Sequence, residues 1–276
     1  MTTTANTTQT TLILGGAGKT GRRVGQRLAA RGLPVRMASR SSEVPFDWND
    51  EQTWPSALVG VDAAYIAYYP DLSAPGAGEQ VRRFSQLAVE RGVRKLVLLA
   101  GRGEPMVAPA EQAVRESGAR FTILEAAFFC QNFSEGALVP AHGQIVFPAG
   151  QIAEPFIDCD DLADVAVEAL LDDAHAGRTL DLTGPRLVTW AEAASEIARA
   201  SGRDMRYEAV TFEGYAEMLG AVMPAEEVAF LIELFRHVLD GHNAHTSDGV
   251  ARVLGRPARD FRSYAQAAAA TGAWQP

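Results

Sequence analysis

The chain has 276 residues, 47% hydrophobic and 21% charged, a usage that excludes intrinsic disorder and permits a core large enough to fold without disulfide or metal staples. No apolar stretch approaches the roughly 18 residues that cross a bilayer. A formal charge of −9 excludes the broad positive face that duplex nucleic acid requires.

In chain order, the opening MTTTANTTQTT lacks the basic start and apolar core of a signal peptide, and residues 1–10 are expected as a disordered tail. Residues 12–125 then alternate short apolar runs with helical patterns. The runs LIL (12–14), VRMAS (35–39), AAYIAY (63–68), KLVLLA (95–100) and RFTILEA (120–126) read as strands buried on both faces. Between them, helices are expected over 20–31, 51–59, 76–91 and 107–117, with Gly32, Gly60, Gly92 and Gly118 as C-caps. Further strands are expected at PFIDC (155–159) and TLDLTG (179–184), separated by a helix over 160–172. Helices over 190–201, 212–220, 224–239 and 260–270 complete the chain. Such alternation predicts an α/β fold, a doubly wound parallel sheet with right-handed crossovers, followed by a smaller, mostly helical region.

Charge is unevenly distributed. Residues 1–42 carry seven basic groups (Lys19, Arg22, Arg23, Arg27, Arg31, Arg36, Arg40) and no acid, which suits a small anionic ligand. Residues 151–276 carry 10 basic and 21 acidic groups. Two cysteines, Cys130 and Cys159, are too few for a disulfide framework and too distant for a C-x-x-C site. A soluble, reduced, cytoplasmic protein is expected.

Gly15-Gly16-Ala17-Gly18-Lys19-Thr20-Gly21 follows the first strand and opens the first helix. Glycines in that context permit a tight turn and close approach of backbone to a pyrophosphate at the positive helix end. The Gly18-Lys19-Thr20 end is not a P-loop, because that motif needs glycine where Ile13 stands. The second strand ends at Ser39-Arg40 without an acid. A carboxylate there selects NAD by its ribose hydroxyl, whereas Arg40, Ser39 and Lys19 can donate charge-assisted hydrogen bonds to the 2′-phosphate of NADP(H). The domain reading is therefore an NADP(H)-binding Rossmann core over 11–150. Residues 151–276 add the last strands of the sheet and a helical substrate-binding region.

Several segments resemble the NmrA-like family of atypical short-chain dehydrogenases/reductases. The carriers are GGAGKTG, FDW (46–48), VRKLVLLAG (93–101), APAEQAVRESG (108–118), FTILEAAFFCQNF (121–133), PFIDCDDLADVA (155–166) and DGVARVLGRPARDF (248–261). FDW and GRPARDF look most like bacterial relatives of ergot-alkaloid clavine (iminium) reductases. The resemblance implies that Asp47 and Trp48 border the adenine, that Tyr68, Tyr69, Ala100 and Gly101 line the cofactor, and that Phe128 faces nicotinamide or substrate. The chain departs from the family at Glu125-Ala126, where members commonly carry Arg-Pro.

Ordinary short-chain dehydrogenases use Tyr-x-x-x-Lys, the lysine lowering the tyrosine pKa for protonation of the substrate. The chain has only Lys19 and Lys95, and four residues before Lys95 stands Arg91. Candidate proton donors at carboxyl ends of strands are then Glu125 and Tyr69. Tyr69, Glu104, Phe128, Phe129 and Phe133 are candidate substrate contacts. His237, His242 and His245 gather near Asp240 and Asp248, but Gly241 and Asn243 interrupt the helix; the segment reads as a polar hinge or lid loop, and no metal is expected. Asp160 and Asp161 are expected as helix caps. No G-x-S-x-G elbow of a hydrolase occurs. The expected function is an NADPH-dependent reductase of an apolar cyclic or conjugated acceptor (iminium, quinone or activated enone) in secondary metabolism. The alternatives are a non-catalytic NADP(H)-binding redox sensor and a pathway isomerase or cyclase on the same scaffold. The expected partner is a small apolar molecule, with no nucleic acid or membrane, and the sequence leaves the oligomeric state open.

Overall fold

Residues 10–136 and 138–275 are described by a computed structural model of the chain. In chain order the elements are β1 (Thr10–Leu14), α1 (Lys19–Ala30), β2 (Val35–Ala38), a 3₁₀ turn (Glu51–Thr53) leading into α2 (Trp54–Ala57), β3 (Val61–Ile66), α3 (Ala77–Glu90), β4 (Lys95–Gly101), α4 (Ala108–Arg115) and β5 (Arg120–Ala126). There follow α5 (Asn132–Glu135), β6 (Gln144–Phe147), β7 (Ala153–Glu154), α6 (Cys159–Leu171), β8 (Arg178–Leu182), β9 (Val188–Thr189), α7 (Trp190–Ser201) and β10 (Arg206–Ala209). The helices α8 (Phe212–Gly220), α9 (Ala225–Val238), α10 (Gly249–Leu254) and α11 (Phe261–Ala270) close the chain. The expected tail over 1–10 lies outside the described residues except for Thr10, which begins β1.

Two units emerge. One comprises Met1–Ala100, Pro105–Leu124 and Ala163–Leu180; the other comprises Gly101–Glu104, Glu125–Leu162 and Asp181–Pro276. The first unit carries the α/β sheet, whose six strands run in the order β2-β1-β3-β4-β5-β8. β1 pairs in parallel with β2 and with β3, and β3 with β4, in a register that aligns Ile13 with Met37 and Tyr65. Leu12, Ile13, Leu14, Leu96, Val97 and Leu98 are fully buried, as continuous apolar runs require when helices cover both faces. The strand order reverses at β1, which has β2 on one side and β3 on the other, and open sheets of this kind bind ligands at that reversal. Within this unit Arg27 pairs with Asp164 at 2.5 Å and Arg31 with Glu168 at 2.7 Å, so part of the basic segment ties α1 to α6.

The second unit has a parallel pair β10–β6, an antiparallel pair β7–β9 and the helices α7 to α11. Its core is aromatic: Phe133, Phe147, Phe156, Trp190 and Phe261 are buried together. α7 is fixed by a capping box in which Thr189 and Glu192 satisfy each other's backbone donors.

Two expectations change here. PFIDC is no strand: β7 stops at Glu154, only Ile157 bridges Phe129, and Cys159 already opens α6. Pro155 has no N–H to give to a ladder, and Asp158 turns the backbone by accepting from Asp160 N at 2.8 Å. Asp158 is thus the capping acid. Asp160 and Asp161 bind arginines instead, as described below.

Candidate dinucleotide site and aromatic cluster

The turn between β1 and α1 is built on backbone proximity. Gly15 has φ +68°, and a Cβ there would stand 3.0 Å from Ala67 O at the end of β3. A Cβ on Gly21 would stand 2.3 Å from Gly15 O, so both positions accept only glycine without a shift of the turn. Gly18 caps α1 in an extended conformation with no side-chain cap, and the first turn holds no acid. The backbone donors of Lys19 and Thr20 therefore lack intrahelical acceptors and sit at the positive end of a 12-residue helix. A pyrophosphate fits this cradle chemically: close backbone, outward N–H groups and no opposing carboxylate. Gly25 carries a third close approach, since its Cβ would fall 2.3 Å from Met37 Sδ on β2.

At the end of β2, Ser42 Oγ receives Ser39 N at 2.8 Å and donates to Val44 O at 2.6 Å, which curls the Ser39–Ser42 loop. Ser39 Oγ lies 3.5 Å from Ser41 Oγ. The Arg40 guanidinium lies over the Tyr69 ring, 5.0 Å from its centroid. Tyr69 is 61% exposed, so the proposed proton donor stands instead on the surface under an arginine.

Trp48 is 5% exposed and packs edge-on against Phe46, Trp54 and Phe84. It is a core residue, and its rings are not free to stack on a base. Asp47 serves the same local architecture: its carbonyl accepts Trp54 Nε1 at 2.8 Å, and its carboxylate accepts Asn49 N at 3.0 Å. Tyr68, half-buried, packs 4.8 Å from Trp48 and donates to Gln80; burial holds its phenol above the ordinary value. Ala100 is buried.

In the second unit, a Cβ on Gly101 would lie 2.0 Å from Glu104 Oε1, so the Glu104 carboxylate folds back over the Gly101 backbone. Glu125 is half-buried. Phe128 is half-buried and meets Trp190 edge-on at 5.7 Å, while Phe129 is half-buried and bridges Ile157 through backbone. Phe133 differs from expectation. It is fully buried, packs against Phe156 and Phe261 at 5.3 Å, and its carbonyl holds Trp274 Nε1 at 2.8 Å. That makes it core and not a substrate wall.

Sequence reasoning missed Arg102 and Glu154. Arg102 is 5% exposed, forks onto Asp181 at 2.6 and 3.3 Å, and donates to Asn243 O at 2.9 Å. Asn243 returns a bond to Arg102 O at 3.0 Å, and His242 Nε2 meets Gly103 O at 3.1 Å. His242 also pairs with Asp240. Glu154 is 1% exposed, and its Oε1 has no hydrogen-bond partner among the described residues. Burial pushes its carboxyl up to about 7, against the pull of Arg102 and His242. The signals available were an arginine directly after a buried strand and a lone acid in an apolar run. Among the described residues no group of His, Cys, Asp and Glu is placed to hold a metal.

The two late motifs meet each other. Arg256 reaches Asp161 at 2.7 Å, Arg259 N donates to Asp161 Oδ2 at 2.5 Å, and Arg259 reaches Asp160 at 3.3 Å. Asp260 caps α11 through Arg262 N and forks Arg186. GRPARDF thus anchors the acidic start of α6.

No protein-family profile matches the chain. It is 32% identical to the NAD(P)H azoreductase of Xenophilus azovorans, across 95% of this chain and 99% of that protein. It is 28% identical to the agroclavine dehydrogenase of Claviceps fusiformis, across 92% and 96%. Among solved structures, the Citrobacter sp. triphenylmethane reductase complexed with NADP(H) superposes with a TM-score of 0.73 at 19% identity, across 94% of this chain and 99% of that one.

Proposed function

The chain belongs to the NmrA-like family of atypical short-chain dehydrogenases/reductases, and we propose that it is an NADPH-dependent reductase of a flat, conjugated acceptor such as an azo, iminium or quinone compound. The observation that carries the reading is the uncapped, acid-free start of α1 behind the Gly15–Gly21 turn, with Arg40 and Ser39 at the end of the adjoining strand. When bound, NADPH supplies the hydride, which is the cofactor's own chemistry. The chain's residues bind and orient. Lys19, Thr20 and the glycine backbone hold the pyrophosphate, and Ser39 and Arg40 hold the 2′-phosphate. Phe128 offers the acceptor an apolar ring. With an azo or quinone acceptor, Glu125 would deliver the proton that nitrogen or oxygen takes up as the neighbouring atom receives hydride, whereas an iminium carbon needs the hydride alone. A polarised acceptor needs little further activation, which agrees with the absence of a Tyr-x-x-x-Lys pair.

The relatives named for azo and clavine chemistry support this acceptor class. The test is NADPH oxidation by the purified protein with azo dyes, iminium salts and quinones offered in turn. Turnover of at least one class is expected. Tight NADPH binding with no turnover of any of them would replace the reductase by a sensor.

A further inference from the structure

We infer that Tyr69 is a positioning residue for cofactor selection: its ring holds the Arg40 guanidinium by one face so that the guanidinium edge is presented to a 2′-phosphate. The inference rests on the NADP(H) reading of the β1–α1 turn. It differs from that reading in giving a role to a residue whose exposure nothing else explains. Tyr69 is one of the few large apolar side chains more than half exposed, and its ring neighbour is a cation.

Four other arginines of the basic segment show why Arg40 is distinctive. Arg27 and Arg31 are engaged by Asp164 and Glu168, Arg36 donates to Ala57 O and Val59 O, and Arg23 donates to Lys19 O. Among the described residues no carboxylate stands within ion-pair distance of Arg40, and its defined contact is the Tyr69 ring at 5.0 Å. A planar guanidinium has faces and edges. A cation–π contact uses a face and leaves the N–H edges free to fork onto phosphate oxygens. Ser39 and Ser41 hydroxyls, 3.5 Å apart in the loop that Ser42 curls, add donors in the same loop as Arg40. Without the ring, Arg40 is a long exposed side chain that must lose rotamer freedom on binding; with it, part of that ordering precedes the ligand.

The test uses the full chain and the fragments 2′,5′-ADP and 5′-AMP, titrated by calorimetry. Wild type is expected to bind 2′,5′-ADP at least about ten-fold more tightly than 5′-AMP. Y69A is expected to lose about two- to five-fold toward 2′,5′-ADP, or about 0.4–1 kcal/mol at 1.4 kcal/mol per decade, with 5′-AMP unchanged. Y69F keeps the ring and should bind as wild type does. In an R40A background, Y69A should add no further loss, because the ring acts through that arginine. Equal 2′,5′-ADP affinity in Y69A and wild type would overturn the inference, as would an equal loss toward both fragments or an additive loss in R40A. Wild type that binds neither fragment would instead overturn the dinucleotide reading, and the inference with it.

Discussion

Arg102 and Asp181 are joined by a two-pronged bond, Nε to Oδ1 at 2.6 Å and Nη2 to Oδ2 at 3.3 Å. The arginine is buried and the aspartate partly exposed, and the third guanidinium nitrogen reaches Asn243 O at 2.9 Å. One side chain therefore fastens the segment after β4, the end of β8 and the loop between α9 and α10, all within the second unit.

Replacing Arg102 by alanine removes three charge-assisted bonds and leaves Asn243 O and Asp181 without their partner. Breaking a buried pair typically costs about 3–5 kcal/mol, and the partial exposure of Asp181 lowers this to about 2–4 kcal/mol. Arg102→Lys keeps the charge but loses the fork, so about half of that loss is expected. Urea unfolding of both variants measures the two values.

Glu154 makes stability depend on pH in the direction opposite to a paired carboxylate. Its pKa is raised in the folded chain to about 7 from 4.5, so the native state binds more protons than the unfolded state between those values. The contribution of Glu154 to stability is then greatest below about 4.5, falls as pH rises toward 7, and levels above it. The full difference is about 2–4 kcal/mol at 1.36 kcal/mol per unit. Glu154→Gln removes the titration, so its unfolding free energy should lose that slope and exceed wild type at pH 8 relative to the difference at pH 4.5. Parallel pH profiles for the two proteins would show that Glu154 does not titrate in this window.

The glycine turn predicts two separable phenotypes. At Gly18 an added Cβ meets only Gly15 O, at 3.1 Å, a tight contact at a helix N-cap, so Gly18→Val should lower the thermal midpoint by a few degrees at most and weaken NADPH binding at least about ten-fold by filling the pyrophosphate's approach. At Gly21 the added Cβ falls 2.3 Å from Gly15 O, so even Gly21→Ala must shift backbone and should lower the thermal midpoint by more. Fluorescence titration with NADPH and a thermal melt, run on both variants, separate the cases.

What the sequence made legible was local. Continuous apolar runs such as LIL and KLVLLA became central strands because burial on both faces leaves no polar alternation, and the glycine spacing carried its turn geometry with it. Trp48, Phe133 and Tyr69 could not be sorted in this way. Each is an aromatic residue in a segment that follows a strand, and only partners brought in by the fold (Phe84, Phe261, Arg40) decide between core and surface. Glu154 and Arg102 escaped for the same reason. An acid in QIAEPF and an arginine in AGRGE stand beside apolar runs, but the partners that receive or bury them come from distant segments.

Glu125 is the chain's candidate for moving a proton. It is half-buried at the end of β5, in the second unit with Phe128. A carboxyl there can hold a proton for a nitrogen or oxygen that gains electron density, an effect typically worth about 10²–10⁴-fold in rate. Glu125→Gln keeps size and hydrogen-bonding capacity but cannot exchange the proton. Turnover of an azo or quinone acceptor, which takes up a proton with the hydride, is expected to fall at least about ten-fold, with NADPH affinity and unfolding free energy nearly unchanged. A side chain that serves only to hold structure gives the reverse, normal turnover per folded molecule and a loss of about 1–3 kcal/mol in stability. Single-turnover kinetics with saturating NADPH, measured beside urea unfolding on the same variant, decide between them. Unaltered turnover would remove Glu125 from the mechanism and leave the proton to be taken from solvent.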